Sequence, residues 1–309
     1  MAFLLLVPGF RTTRWERRIL EIEPDLDLRI WPEVGNPDEI RFALSWQHPA
    51  GEFQKYKNLE CIASIGAGVD HILCDPDLPD GVPITRIVDP SMPQAMSEYV
   101  VMNALNYCRH TDLYGRRQIE RQWKPKRPKL PAELTVGIMG MGQLGSDCAA
   151  KLRHLGFSVA GWSRSPKNTD GLRHFWGDGQ LPSFLGRCDI LVCMLPLTPQ
   201  TRNILDRDLF RQLPPDAYLI NVARGEHLAE EDLLAALDEG HLSGACLDVF
   251  RTEPLPADHP FWRHPHIRVT PHISSLTDPQ AVVPQIMDNY RRLLAGQPLL
   301  HLVDVQRGY

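Results

Sequence analysis

No run of apolar residues in this chain approaches the roughly 18 needed to cross a bilayer, so no membrane attachment is expected. The opening run AFLLLVP lacks a basic leader and is too short for a signal segment with its cleavage site. A strong charge of one sign is also missing. The 33 basic and 38 acidic residues leave a formal charge of -5, which gives no electrostatic reason to expect nucleic acid as a partner. The densest basic run, Lys124 to Lys129, is interleaved with prolines and reads as a solvated loop. The seven cysteines are an odd number without a C-x-x-C pair, and several sit in apolar runs such as LVCMLP. That argues against a disulfide framework and suits buried free thiols in a reducing compartment, so a cytoplasmic location is expected. The twelve histidines form no H-E-x-x-H pattern and no Cys/His cluster of zinc spacing, so no metal site is expected.

What is present is ample apolar material, 43% of 309 residues, enough for two cores. The first third alternates short apolar runs with helix-compatible segments. The runs are AFLLLVP from Ala2, LDLRIWP from Leu26, FALSW from Phe42, CIASIG from Cys61 and VPITRIV from Val82. They predict a parallel sheet with crossover helices. A long helix is expected next, with Ser91 and Gln94 as a capping box and Pro93 in its first turn. Val100, Val101, Ala104, Leu105 and Cys108 supply its apolar stripe.

After the proline-rich break KPKRPKLP the alternation resumes. Its strands are LTVGIMG from Leu134, SVAGWSR from Ser158, DILVCMLP from Asp189, AYLINVARG from Ala217, GACLDVF from Gly244 and IRVTPHIS from Ile267. The fold class is therefore read as α/β: two Rossmann-like or flavodoxin-like domains on parallel sheets. Residues 1–95 plus 279–309 are expected to form one domain and 96–278 the other. The last helix, from Pro279 to about Ala295, returns to the first domain.

Gly140, Gly142 and Gly145 form G-x-G-x-x-G directly after an apolar strand and at the start of a helix. Small residues let the backbone approach a pyrophosphate, and the helix start offers free N–H groups at the positive dipole end. The next strand ends at Trp162-Ser163-Arg164-Ser165, with Lys167 close behind and no carboxylate before Asp170. An NAD binder usually carries Asp or Glu there for the ribose hydroxyls. A cation and hydroxyls suit an adenosine 2′-phosphate instead. NADP(H) is therefore expected over NAD(H), with stacking of Arg164 on adenine as the other reading.

Arg224, Glu253 and His272 stand at or just beyond strand ends, where a doubly wound sheet holds its ligand. Together with GMGQLG, the phrases MLPLTPQTRNI, LINVARGEHLAEEDLLAAL, GACLDVFRTEPLP and VTPHIS, in this order, resemble the D-isomer-specific 2-hydroxyacid dehydrogenase family. SIGAGVDHI resembles that family's substrate loop, so the likeness covers nearly the whole chain. Within the family it looks most like the shorter glyoxylate/hydroxypyruvate reductases, through Trp46 in SWQHP, the phrase at Trp123 and the non-acidic Trp-Ser-Arg-Ser.

The resemblance implies that hydride passes from nicotinamide to the carbonyl carbon of a small 2-keto acid, giving the D-2-hydroxy acid. His272 would then protonate the carbonyl oxygen, Glu253 would fix the imidazole, and Arg224 would hold the substrate. It also implies substrate contacts at Ala67 and Gly68. The dinucleotide would lie along Gly140, Gly142, Gln143, Leu144, Gly145, Ser163, Arg164, Ser165, Leu195, Pro196, Val222, Ala223, Asp248 and Ser274. The first domain would bind substrate and the second the dinucleotide. Trp46 is either core at a strand end or a wall that restricts substrates to small acids. A homodimer through the long helix is implied as well. Two other readings stay open: a same-fold dehydrogenase for another 2-hydroxy acid, and a non-enzymatic dinucleotide sensor that keeps these residues. Formate dehydrogenases in this lineage carry glutamine beside the histidine, where this chain has Glu253.

Overall fold

The structure is a computed structural model that describes residues 1–9, 11–167 and 171–305. The chain divides into two compact units, Met1–Ser91 with Thr277–Tyr309, and Met92–Leu276. The elements of the first part are β1 (Ala2–Leu6), α1 (Thr13–Ile22), β2 (Leu28–Ile30), β3 (Ile40–Ser45), β4 (Cys61–Ser64), α2 (Asp70–Leu73) and β5 (Ile84–Thr85). Then come α3 (Met92–Arg109), α4 (Thr111–Ile119), β6 (Thr135–Met139), α5 (Gln143–His154), β7 (Ser158–Ser163), β8 (Arg173–Trp176) and α6 (Gly177–Leu185). They are followed by β9 (Ile190–Cys193), α7 (Arg207–Gln212), β10 (Ala217–Asn221), α8 (Glu230–Asp238), β11 (Leu242–Leu247), β12 (Ile267–Val269) and α9 (Pro279–Leu294).

The first unit holds a five-stranded parallel sheet in the order β2-β1-β3-β4-β5. Alternate side chains of β1 serve opposite faces, as a pleated strand requires. Ala2, Leu4 and Leu6 pack with Phe53, Ile62 and Ile72. Phe3 points the other way, stacks on Phe42 at 4.9 Å, and both rings meet Tyr290 of α9 edge-on. Arg291 of α9 pairs with Glu23 just past α1 at 2.8 Å. The last helix thus returns to the first sheet and buries Val282, Val283, Ile286, Met287 and Tyr290.

The second unit holds a seven-stranded parallel sheet, β12-β11-β10-β9-β6-β7-β8. Strand order reverses between β6 and β9, the switch point where such sheets bind ligands. Both faces are covered, so the strands read as continuous apolar runs. Ile190 and Val192 face α3 and α5, whereas Leu191 and Cys193 face α6, α7 and α8.

Two local features differ from expectation. β8 is an extra edge strand whose four residues, Arg173 to Trp176, show no buried run to betray it. The capping box at Ser91 and Gln94 does not form. Ser91 Oγ instead donates to Asp89 at 2.7 Å, and Gln94 bonds Glu98 and Lys151. The turn before the helix supplies an acceptor first, and hydroxyls readily take such local partners. Among the described residues, no helix is long and apolar enough to cross a membrane.

Candidate active site

The second unit gathers three ionisable side chains beyond the carboxyl ends of β10, β11 and β12. The turn after β10 is set by buried Asn221, whose amide donates to Arg224 O at 3.0 Å and whose oxygen accepts from Ala223 N at 3.2 Å. This fixes the half-buried Arg224, whose guanidinium donates to Ala223 O at 2.7 Å.

The turn after β12 carries His272 at φ 53°. A left-handed backbone is costly for a residue with a Cβ, by roughly 1–3 kcal/mol, and persists only where surroundings over-determine it. Asp248, fully buried beyond β11, does so. Its main-chain oxygen accepts from His272 N at 2.8 Å. Its carboxylate accepts from Thr270 Oγ1 at 2.6 Å, Ile273 N at 2.9 Å and Ser274 N at 2.8 Å.

Glu253 closes the constellation. Its Oε1 accepts from Phe250 N at 2.9 Å, and Oε2 stands 2.8 Å from His272 Nδ1. Burial pushes the Glu253 carboxyl up. The bond to His272, the charge of that ring, the Phe250 N–H and the charge of Arg224 outweigh it and hold the acid below the ordinary glutamate range. An ionised carboxylate only accepts, so Nδ1 carries the shared hydrogen. The same electrostatics place Arg224 close enough to act on Glu253.

The glycine loop lies between β6 and α5. Gly140 adopts φ 109°, and a Cβ there would stand 2.5 Å from Met194 O. A Cβ on Gly145 would stand 2.1 Å from Gly140 O, so the helix meets the loop only through glycine. Gly142 differs: its missing Cβ points into open space, it is exposed, and no side chain caps the helix that begins at Gln143 and Leu144. The first N–H groups of a helix have no partner within it. This cradle, with basic and hydroxyl residues at the end of β7, fits a dinucleotide diphosphate. Gly140 N donates to Trp162 O at 2.9 Å, and Lys167 Nζ reaches Met141 O at 2.7 Å, tying the β7 turn to the loop. Ser163 is buried, and Arg164 and Ser165 are exposed. Asp170 lies outside the described residues. Leu195, Val222 and Ala223 are buried beyond β9 and β10, Pro196 follows Leu195, and Ser274 is held by Asp248.

In the first unit, Ser64 Oγ donates to Gly68 O at 3.0 Å and accepts from Gly66 N at 3.0 Å, shaping the loop that carries Ala67. The half-buried Trp46 ring lies against Gly66, where a Cβ would come within 2.6 Å of it, and against His71, with centroids 4.2 Å apart.

The model of the D-isomer specific 2-hydroxyacid dehydrogenase NAD binding domain matches residues 101–274. A glyoxylate/hydroxypyruvate reductase A from Serratia proteamaculans is 43% identical, with both chains covered in full. The chain belongs to the D-isomer specific 2-hydroxyacid dehydrogenase family. An enzyme of that name from Yersinia enterocolitica is 41% identical over the full length of both chains. Among solved structures, a family member from Xanthobacter autotrophicus in complex with NADPH and MES superposes with TM-score 0.90 at 41% identity, covering 100% of this chain and 99% of that one. An NADPH-dependent glyoxylate/hydroxypyruvate reductase from Sinorhizobium meliloti, bound to NADP and sulfate, gives TM-score 0.91 at 37% identity, with 100% and 99% covered.

Two residues of this dehydrogenase escaped the sequence reading. A Cβ on Gly225 would fall 1.9 Å from the Phe250 carbonyl carbon, so only glycine lets the Arg224 turn approach the backbone that leads to Glu253. His227 is fully buried; its Nδ1 accepts from Arg224 N at 3.2 Å, and Nε2 stands 3.3 Å from Pro196 O. It braces the arginine turn against the turn after β9. The glycine was visible beside Arg224, but nothing in the sequence tells which distant backbone it must meet.

Proposed function

We propose that this dehydrogenase is an NADPH-preferring reductase of small 2-keto acids, glyoxylate and hydroxypyruvate, to D-2-hydroxy acids. The observation that carries the reading is the 2.8 Å contact of His272 Nδ1 with Glu253 Oε2, with the charge of Arg224 acting on the same carboxylate. The reduced nicotinamide, when bound, supplies the hydride. His272 gives the proton at Nε2 to the carbonyl oxygen, and Glu253 keeps the ring turned so that Nε2, not Nδ1, faces it. Arg224 holds the substrate with its planar fork of donors. Substrate contacts at Trp46, Ala67 and Gly68 are part of the same proposal, as is a substrate role for the first unit and a dinucleotide role for the second.

NADPH preference rests on Ser163, Arg164, Ser165 and Lys167 standing where an acidic side chain would otherwise meet the ribose, and on the NADP and NADPH held by the two solved relatives. The dinucleotide contacts proposed in the second unit are Gly140, Gly142, Gln143, Leu144, Gly145, Leu195, Pro196, Val222, Ala223, Asp248 and Ser274. Seven free cysteines, six of them buried, support a cytoplasmic setting. A homodimer through α3 is proposed from the family likeness; a monomeric mass in sedimentation at micromolar protein overturns it.

The test is nicotinamide absorbance with purified protein, glyoxylate or hydroxypyruvate, and each cofactor. NADPH oxidation with kcat/KM well above that for NADH is expected. Binding without turnover sinks the enzymatic reading, and a preference for NADH sinks the cofactor assignment.

A further inference from the structure

The inference here rests on the proposed NADPH preference and concerns how this chain shapes its Ser163–Ser165 turn. A serine hydroxyl has one proton to give. Ser163 Oγ stands 2.8 Å from Ser165 O, a carbonyl that only accepts, so the proton points there. The same Oγ stands 2.8 Å from His174 Nε2. With its proton committed, Oγ meets that nitrogen as an acceptor, so Nε2 carries a hydrogen. Burial, and then the charge of Lys167, hold the His174 ring below the ordinary imidazole range. It is neutral at neutral pH, and Nε2–H is its one donor.

The frame around this contact is firm. β8 pairs with β7 so that His174 lies opposite Gly161 and Trp176 opposite Ser163. The imidazole stacks with Trp176 at 6.2 Å and 17°. Trp162 anchors the other side of the turn, donating from Nε1 to Gly177 O at 3.0 Å.

One consequence is chemical. A phosphate monoester offers acceptor oxygens. While Ser163 donates to Ser165 O, it has no proton for a phosphate. The turn also carries the Arg164 guanidinium, the Ser165 hydroxyl and main-chain N–H groups, all of which are donors. We propose that His174 is a positioning residue for 2′-phosphate recognition: its Nε2–H holds Ser163, and through Ser163 the turn that presents Arg164 and Ser165. An acidic residue at the end of β7 would read a ribose hydroxyl by itself; a phosphate site made of one short turn needs its shape held from the neighbouring strand.

The experiment measures binding to the full chain by calorimetry, without turnover. The probes are adenosine 2′,5′-bisphosphate and adenosine 5′-monophosphate, which differ only in the 2′-phosphate. The wild type is expected to favour the bisphosphate. His174→Phe keeps the ring's bulk and removes the donor; it should weaken the bisphosphate about five- to tenfold and the monophosphate less than about twofold. His174→Gln returns an amide N–H near the same place and should recover most of the loss. Wild-type selectivity that survives His174→Phe overturns this proposal alone, as does equal weakening of both probes. A wild type that binds the two probes equally overturns the cofactor reading and this proposal with it.

Discussion

Glu253 and His272 sit 19 positions apart in the chain and meet at 2.8 Å between Oε2 and Nδ1. Removing the imidazole by His272→Ala should lower kcat by roughly 10²–10⁴-fold, the usual worth of a positioned proton donor. NADPH affinity, followed by fluorescence titration, should hardly move; a variant that turns over normally removes His272 from the mechanism. The carboxylate partner gives a prediction in pH. Its acidity is increased by folding, so the ionised acid contributes stability that is fully present above the ordinary glutamate pKa of about 4.3 and fades as pH falls through the lower native value. Melting curves of wild type and Glu253→Gln should therefore converge as pH falls from about 5 to about 3. Below about 4 the wild type should lose stability faster than the variant. Parallel loss of stability in the two proteins over that acid range contradicts the ionised carboxylate.

At the scale of elements, turns carry the chemistry and strands only deliver it. The turn after β12 depends on one buried carboxylate that satisfies three donors. Asp248→Ala leaves those donors unmet at ~1–3 kcal/mol for each buried one. It should depress both the melting temperature and kcat; retention of both speaks against the brace. Gly225→Ala is the sharper test of the turn after β10, since the added methyl would collide with main chain rather than with a side chain that can swing away. A kcat/KM loss of at least about 100-fold is expected, with Asn221 and His227 unable to hold Arg224 in place. Much of this scale was legible beforehand. Strands announced themselves as apolar runs because both faces of a parallel sheet are covered, and the three ionisable residues stood where those runs stop. β8 was not legible: an edge strand of Arg, His, Phe and Trp buries no face completely. Ser91 and Gln94 misled for a different reason, since a pattern of two residues cannot reveal that Asp89 competes for the hydroxyl.

For the molecule as a whole, the first unit is the one whose stability depends on distant parts of the sequence. Tyr290 joins Phe3 and Phe42 across nearly the full length of the chain. Tyr290→Ala should cost about 3 kcal/mol, as for other large buried aromatics. Equilibrium unfolding should show that loss; a change below about 1 kcal/mol means that α9 adds little to the first core. The sequence left room for the last helix to return to the first domain, whereas the aromatic cluster it completes was not visible, because contacts at such separation leave no local trace. On the ribosome this arrangement has a direct consequence. Residues 92–276 emerge before α9 exists, so the dinucleotide cradle can fold while β1 to β5, made earliest, still wait with one face of their sheet incompletely covered. The oldest part of the nascent chain is the last to be finished, and any holdase that guards this protein during synthesis has its apolar target there.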